Sequence, residues 1–441
     1  MAWAPKKLTS SQIIILGFLG AILLGALLLM LPFSTVDGKG ATFSDAMFTA
    51  TSATCVTGLI VQDTATYWSG FGQGVILTLI QVGGMGVVTM AVAISVISGR
   101  KIGVMQRSTM QDSISAPQIG GIVKLTGFIL KITGLIEATG AILLAPVFIK
   151  EFGVAKGIWY SVFHSVSAFC NAGFDLMGAK EKFSSLTYFP GHPLVNIVIM
   201  LLIITGGIGF LVWEDIKTNK FRIRKYRMQS KLVLLTTLIL IIVPALYFFF
   251  FEFKDTPTGT RIWGALFQSV TTRTAGFNTL DLTKLKSGGL TFMIVLMLIG
   301  GSPGSTAGGM KTTTFAVVVL TAFSVFRRKE HTVFGGRTIA DSVLRNAIAI
   351  VTMYIILFVT GGVAISAVER LPLMTCMFET ASAVGTVGLT LGITPELSLF
   401  SRLILIILMY IGRVGGLTLI FSAVSSQGNL SKLPQEKLTV G

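Results

Sequence analysis

The chain has 441 residues, of which 52% are apolar and only 12% are charged, and its net charge is +16. Soluble globular domains usually carry about 25% charged residues, so this composition excludes an ordinary soluble protein and favours one embedded in a lipid bilayer. The basic residues cluster in particular loops, and the three cysteines form no CxxC pair. We therefore expect no nucleic-acid partner, no disulfide framework and no zinc site.

Four copies of one helical unit follow one another along the chain. Each unit has a long apolar helix, a short apolar run, a loop that ends in glycine and a second long helix that returns across the membrane. The short runs are too small to cross ~30 Å of hydrocarbon, so we interpret them as re-entrant half-helices. The predicted repeats cover residues 1–110, 111–225, 226–335 and 336–425, and a cytoplasmic tail follows at 426–441. The predicted half-helices cover residues 43–54, 156–169, 261–271 and 372–384, and the returning helices cover residues 72–98, 193–213, 290–326 and 401–425.

This order of elements predicts an all-α polytopic membrane protein with eight spanning helices and four half-helices. Basic residues mark the loops that join the repeats, whereas the segments around the glycine loops carry Asp63, Asp175, Asp281 and Glu396. By the positive-inside rule, both termini and the inter-repeat loops are cytoplasmic and the glycine loops face outward. The basic loops set the topology, and binding of anionic membrane lipids or of a cytosolic partner is a further role open to them. The outer acids either concentrate cations at the mouth or are ordinary solvated loop residues.

Each loop ends in what we call its marker glycine, at Gly58, Gly173, Gly276 or Gly388. Three copies share the frame F-x-x-x-S-A-x-x-x-x-G, and the copy in repeat 3 keeps the ending and loses the Ser-Ala. Four such loops around a pseudo-fourfold axis can present rings of carbonyl oxygens that replace the water shell of a cation, as in potassium channels. Half-helices whose C-termini point at the loops would also favour a cation. Four unrelated turn glycines are the alternative, and the even spacing of the copies argues against it.

The returning helices carry a second repeated glycine cluster, from which repeat 3 departs. In repeats 1 and 2, close helix packing is an alternative explanation for these glycines. In repeat 3, five glycines, a proline and a lysine interrupt the apolar run, which predicts a broken helix. We call this part the interrupting segment; it contains Gly300, Gly301, Ser302, Pro303, Gly304, Ser305, Thr306, Ala307, Gly308, Gly309 and Lys311. Repeat 4 has Arg413 in place of a glycine. Arginine in an apolar helix is costly, so it marks a functional site or a structural pair with a carboxylate or carbonyls.

Four loop sequences carry a family resemblance, namely S-A-T-C-V-T-G-L, S-A-F-C-N-A-G-F, T-T-R-T-A-G-F and S-A-V-G-T-V-G-L. They resemble the membrane subunit of the Ktr/Trk/HKT cation-uptake superfamily, most closely its bacterial Ktr type, over residues 11–425. The resemblance implies a selectivity filter in which backbone carbonyls bind potassium, with no covalent cofactor. In that family, glycine at all four marker positions goes with potassium preference, and serine at the first goes with sodium. The implied filter residues are Cys55, Val56, Thr57, Gly58, Cys170, Asn171, Ala172, Gly173, Arg273, Thr274, Ala275, Gly276, Gly385, Thr386, Val387 and Gly388.

The same resemblance implies how flux is controlled. The interrupting segment would lie under the filter and gate the pore together with Arg413. We expect the side chain of Arg273 to point away from the axis while its backbone lines the site. The family also implies a homodimer with one pore per protomer in a bacterial plasma membrane. It would dock on a cytosolic ring of nucleotide-binding regulatory subunits, and nucleotide would act only through that ring.

These features predict potassium uptake across the plasma membrane through a gated filter that a cytosolic partner regulates. A sodium- or proton-coupled secondary transporter is the alternative, because such proteins also break helices at the bilayer midplane. They usually show inverted or twofold repeats, however, and this chain has four parallel ones. An enzyme is not expected, because the chain has three histidines and neither an HExxH nor a GxSxG motif.

Overall fold

The computed structural model describes residues 8–97, 103–113, 121–416 and 418. Within these ranges the chain is helical apart from one hairpin, formed by β1 Val333–Phe334 and β2 Arg337–Thr338. The helices are α1 Ser10–Leu29, α2 Phe43–Thr54, α3 Gly70–Met85, α4 Val87–Ile97, α5 Val104–Ser113, α6 Ile122–Phe152, α7 Val154–Phe169, α8 Pro193–Gly207, α9 Phe210–Asn219, α10 Met228–Tyr247, α11 Thr258–Thr271, α12 Ser287–Leu298, α13 Thr312–Phe326, α14 Asp341–Glu369, α15 Leu373–Gly385 and α16 Leu399–Val414. Short 3-10 turns lie at Pro32–Ser34, Met177–Ala179, Ile223–Lys225, Leu282–Lys284 and Thr394–Glu396, and the π-helix Phe248–Glu252 extends α10.

The first helix of each repeat is long and apolar enough to cross a membrane. These four spans are Ser10–Leu29, Ile122–Phe152, Met228–Glu252 and Asp341–Glu369. Their outward faces are apolar as well as their inward ones: Leu27 of α1 is 62% exposed and Ile142 of α6 is 71% exposed. A helix that is apolar on all sides suits a lipid environment, where the outward face meets hydrocarbon instead of water.

Four shorter helices lie inside the bundle, where the sequence predicts half-helices. They are α2, α7, α11 and α15, and they have between 12 and 16 residues. The phenylalanine that begins the repeated frame is completely buried in every copy, at Phe48, Phe163, Phe267 and Phe378. Each half-helix is therefore anchored in the core by the same aromatic side chain, and its C-terminal end leads into a marker-glycine loop.

The returning helices are broken in all four repeats, so the prediction of one uninterrupted returning helix in repeats 1, 2 and 4 is wrong. In repeat 1, α3 and α4 are separated at Gly86, whose φ is +86°. In repeat 2, α8 and α9 meet at 94°, and Gly209 between them has φ +96°. In repeat 4, α16 ends before Gly415, whose φ is +89°, and most of the predicted helix beyond this point lies outside the described residues. Positive φ is a glycine conformation that ends an α-helix. The predicted break in repeat 3 is confirmed, because α12 ends at Leu298 and α13 begins at Thr312.

The four repeats pack in cyclic order around one axis. The returning helix of each repeat contacts the half-helix of the next, in the pairs α3 with α7, α8 with α11 and α12 with α15. The last returning helix, α16, contacts the first half-helix, α2, and so closes the circle. At this junction Arg402 Nη1 lies 3.0 Å from Asp45 Oδ1 in an ion pair. The predicted pseudo-fourfold arrangement of helix, loop and helix is therefore confirmed.

Candidate functional site

The four loops that follow the half-helices share one backbone conformation. Two residues before each marker glycine stands a non-glycine residue with positive φ, and the marker glycine itself also has positive φ. The non-glycine residues are Val56, Asn171, Thr274 and Thr386, with φ of +51°, +58°, +66° and +50°. The marker glycines Gly58, Gly173, Gly276 and Gly388 have φ of +92°, +70°, +82° and +92°. Left-handed conformations are uncommon outside glycine, so their recurrence at matching positions shows that the loops are copies of one turn.

The marker glycines lie against one another in a closed ring. A methyl group on any of them would come within 2.6 Å of a backbone carbonyl oxygen of the neighbouring loop. The carbonyls met in this way belong to Ala172 for Gly58, to Ala275 for Gly173, to Val387 for Gly276 and to Thr57 for Gly388. Only glycine fits these positions, both because of its φ and because the neighbouring atoms are backbone. The structure thus brings the four predicted loops together at one point.

Hydroxyl groups from the half-helices hold the loops in place. Ser52 Oγ accepts a hydrogen bond from the N–H of Gly58 at 3.1 Å, and Ser382 Oγ accepts one from the N–H of Gly388 at 2.9 Å. Ser167 Oγ donates to the carbonyl oxygen of Phe174 at 2.7 Å. In the third copy, Thr271 Oγ1 donates to the carbonyl oxygen of Phe277 at 2.5 Å. The role of this serine was not predicted from the sequence, although its recurrence in the repeated frame was the available signal.

Three residues before each marker glycine the loops differ in chemistry. This position holds Cys55, Cys170, Arg273 and Gly385. The side chains of the two cysteines and of the arginine are buried. Cys170 Sγ lies 3.4 Å from Gln81 Oε1, and Gln81 Nε2 donates to Glu137 Oε2 at 3.4 Å. Arg273 Nη2 donates to Thr237 Oγ1 of α10 at 3.3 Å, so its side chain points outward from the ring as expected.

Cavities lie on both sides of the ring. On the outer side, a vestibule of about 640 Å³ is lined by all four marker glycines and by Asp175 and Asp281. Asp63 instead is buried and accepts hydrogen bonds from the backbone N–H groups of Thr66 and Phe183, so it holds the outer loops together. Burial and the charge of Asp63 both raise the pKa of the Asp175 carboxyl, to about 7. Of the predicted outer acids, Asp175 and Asp281 therefore line this vestibule.

Glycines of the returning helices pack against the ends of the half-helices. A methyl group on Gly83, Gly206 or Gly412 would overlap the backbone carbonyl oxygen of the last or nearly last residue of α2, α7 or α15, respectively. Close packing, which the sequence left open, therefore explains the first glycine of the cluster in repeats 1, 2 and 4. Gly300 of repeat 3 does not take this place, because it meets carbonyls of its own interrupting segment.

The interrupting segment folds as a loop closed by its own backbone. The N–H of Gly300 donates to the carbonyl oxygen of Met310 at 2.7 Å, and the N–H of Thr312 donates to that of Gly301 at 2.9 Å. These bonds join the two ends of the break, so α12 and α13 remain close although the helix is interrupted.

The same segment is bonded to the neighbouring repeats. The N–H of Ser302 donates to the carbonyl oxygen of Gly207 at 3.0 Å, and that of Gly309 donates to the carbonyl oxygen of Gly412 at 3.1 Å. Thr306 Oγ1 donates to the carbonyl oxygen of Phe169 at 2.9 Å and lies 3.2 Å from Asn171 Oδ1. The segment therefore touches the second marker-glycine loop directly.

Arg413 joins the interrupting segment to repeat 1. Its Nη1 donates to the carbonyl oxygen of Thr306 at 2.5 Å, and its Nη2 donates to those of Gly83 and, at 3.0 Å, Gly84. In the part of the chain that the structure describes, no carboxylate forms an ion pair with it. Lys311 and Arg413 both line a cavity of about 330 Å³ on the inner side. Two basic side chains therefore lie together at the interrupting segment.

Two buried polar residues behind the loops were not assigned as site residues from the sequence. Glu379 of α15 accepts hydrogen bonds from the N–H of Leu391 at 3.2 Å and from Thr394 Oγ1 at 3.0 Å. His164 holds the matching place in α7, where its Nε2 accepts from the N–H of Leu176 at 3.3 Å. Both side chains fix the chain that rises outward from the loop. Glu379 and His164 each directly follow the phenylalanine of the repeated frame, and this matching position could have identified them from the sequence.

Comparisons with known proteins agree with this architecture. The family described as TrkH, cation transport protein, matches residues 8–433. The potassium/sodium uptake protein NtpJ of Enterococcus hirae is 40% identical over 99% of this chain and 98% of its own length. The Ktr system potassium uptake protein B of Bacillus subtilis is 39% identical over 99% of this chain and 97% of its own length.

A solved structure has the same fold. The potassium transporter TrkH from Vibrio parahaemolyticus superposes with a TM-score of 0.72 over 95% of this chain and 85% of its own, at 20% sequence identity. At that identity the match concerns the fold alone. Together with the family match over nearly the whole length, it makes the chain an integral membrane transport protein and not an enzyme. The resemblance noted in its loops is thereby confirmed: the chain belongs to the TrkH family of cation transport proteins.

Proposed function

We propose that this chain carries potassium ions into the cell through the ring of marker glycines. The observation that supports this most strongly is the cyclic order of the ring, in which each marker glycine faces a carbonyl oxygen of the next loop and Gly388 faces the first loop. Carbonyl oxygens grouped in this way can replace the hydration shell of a cation. The ligands in this proposal are backbone carbonyls of the sixteen predicted filter residues, so ion binding needs no charged side chain.

The choice of potassium follows from the relatives and from the marker positions. One relative is named for potassium uptake and another for potassium and sodium uptake. All four marker positions here are glycine, which in our proposal favours potassium. Each loop has one marker glycine and no longer strand of carbonyls, so we expect looser selectivity than in a potassium channel.

The proposed gate is the interrupting segment together with Arg413. This proposal is supported by the hydrogen bond from Arg413 to Thr306 and by the contact of Thr306 with the second loop. A passing cation would have to displace the segment or the guanidinium, because both lie on the inner side of the ring. Moving them requires breaking bonds to α3, α8 and α16 together, which is a two-state change of the kind that suits a gate.

We further propose a homodimer in the bacterial plasma membrane, with one pore per protomer and both termini in the cytoplasm. A ring of nucleotide-binding regulatory subunits would dock on the cytoplasmic side. The support comes from the basic loops between repeats and from the relatives named as parts of a Ktr system.

Flux through the purified protein tests the transport proposal. We expect rubidium to enter proteoliposomes when the membrane potential is clamped inside-negative, and potassium to compete with it far better than sodium. No sodium or proton gradient should be needed. Uptake at zero potential that requires either gradient would instead establish the sodium- or proton-coupled secondary transporter.

A further inference from the structure

Arg273 is a buried cation directly behind the third marker-glycine loop. Its side chain is only 5% exposed, and its Nε has no hydrogen-bond partner within the part of the chain that the structure describes. Its Nη2 donates a hydrogen bond to Thr237 Oγ1 at 3.3 Å. Among the described residues, no aspartate or glutamate forms an ion pair with it. A buried charge without a partner is costly, so its presence calls for an explanation other than stability.

The same residue is tied to the ring through its backbone. Asn171 Nδ2 of the second loop lies 3.4 Å from the carbonyl oxygen of Arg273 and 3.4 Å from Thr274 Oγ1. The guanidinium is thus one side-chain length away from a loop that faces the ion. The matching positions in the other loops hold Cys55, Cys170 and Gly385, none of which brings a positive charge. The positive charge is therefore specific to one quarter of the ring.

We propose that the guanidinium of Arg273 weakens cation binding at the ring and so speeds release of the ion to the inner side. This inference rests on the proposed function of the ring. Four half-helix C-termini and a ring of carbonyls all favour a cation, and a site that binds too tightly cannot conduct. A fixed positive charge behind one loop repels the bound ion through protein of low polarity, where screening by water is weak.

A structural role is the competing explanation. Arg273 lies just after the C-terminus of α11, where a positive charge is favourable to the helix dipole, and its bond to Thr237 could hold the loop against α10. The two roles differ in what they need. Repulsion needs only the charge, whereas anchoring of the loop needs the hydrogen bond.

Three variants separate these roles. Arg273→Met removes both charge and bond, Arg273→Lys keeps the charge, and Thr237→Val removes the bond while leaving the arginine in place. Potassium binding would be measured as the concentration that half-saturates thermal stabilisation of the full-length protein in detergent. Initial rates of rubidium uptake into proteoliposomes would give KM and the maximal rate separately.

We expect Arg273→Met to lower both the half-saturating potassium concentration and KM about tenfold, as for removal of one unit charge roughly 10 Å from the ion. The maximal rate should fall as well, because release becomes slower. Thr237→Val should keep KM within about twofold of the wild type, which corresponds to a small difference in binding free energy. The KM of Arg273→Lys should lie closer to that of the wild type than to that of Arg273→Met, because the charge is retained.

Other results would overturn the inference. If Arg273→Met folds and its half-saturating concentration is unchanged or higher, the charge does not weaken binding. If Thr237→Val reproduces the effect of Arg273→Met, the role is structural. If Arg273→Met does not fold, the KM of Arg273→Lys is the test instead. A large change of KM in this variant, which retains the positive charge, would refute repulsion. Wild-type protein that shows neither potassium-dependent stabilisation nor rubidium uptake would refute the proposed function instead.

Discussion

Replacing Gly58 with serine should lower the preference for potassium over sodium, because the new side chain collides with the ring itself. The Cβ would lie 2.5 Å from the carbonyl oxygen of Ala172 and 3.2 Å from the Cα of Gly173. Both neighbours are backbone atoms, so no side chain can rotate away. The carbonyl of Ala172 has to retreat by about 0.5 Å to reach the shortest contact that Cβ atoms make in practice.

The cost has two parts that can be separated. Gly58 has φ +92°, and a residue with a Cβ in a left-handed conformation loses roughly 1–2 kcal/mol. Displacing one of the ring carbonyls changes its interaction with a bound ion by about 1–2 kcal/mol more at these distances, which corresponds to about a tenfold loss of discrimination. Gly392 offers a matched control, since it also has φ +92° but nothing lies within 4 Å of a Cβ there.

The assay is competition between rubidium and sodium for uptake into proteoliposomes at a fixed membrane potential. We expect Gly58→Ser to lower the rubidium-to-sodium ratio about tenfold and Gly392→Ser to leave it within about twofold, with both variants losing similar stability from the strained φ. An unchanged ratio in folded Gly58→Ser protein would refute the role of the ring. An equal drop in Gly392→Ser would attribute the effect to backbone strain.

Three further predictions follow from the described contacts. Arg413→Gln removes the charge that holds Thr306, so basal rubidium flux should rise at least about fivefold, and a lower flux would contradict its place in the gate. Asp175 loses its negative charge as pH falls through its pKa of about 7, so uptake at low rubidium should decline from pH 8 to pH 6, whereas Asp175→Asn should show no such decline. Ser382→Ala leaves the N–H of Gly388 without a partner and should cost about 1–3 kcal/mol of stability; an unchanged melting temperature would show that the bond is dispensable.

Most of the fold could be predicted from the repeated frame, because its phenylalanine, serine and glycine positions each have the same structural role in all four copies. The phenylalanine is buried, the serine, or the threonine in its place in repeat 3, supports the loop, and the marker glycine has positive φ. A structural role that is marked by the same residue in each repeat can be recognised from the sequence. The positions of the half-helices and the assembly of the loops followed from this recurrence.

The breaks in the returning helices of repeats 1, 2 and 4 were not predicted, because composition alone cannot distinguish a glycine that allows close packing from a glycine that ends a helix. Gly83 and Gly206 are helical residues that allow close packing, whereas Gly86 and Gly209, a few residues later, have positive φ and end the helix. The hydrogen-bond partners of Arg413 could not be predicted from the sequence for another reason. They are backbone carbonyls, which every residue possesses, so no pattern of side chains could have identified them.

The ion pair between Asp45 and Arg402 has a consequence for biosynthesis. It joins α2, near the start of the chain, to α16, near its end, at 3.0 Å. Chains are synthesised from the N-terminus, so α2 is made long before α16. The contact between the two helices can form only after nearly all of the protein has been inserted. During that interval the first loop has no neighbour on one side. An incompletely synthesised chain would therefore hold the first loop in the bilayer without the helix that closes the ring.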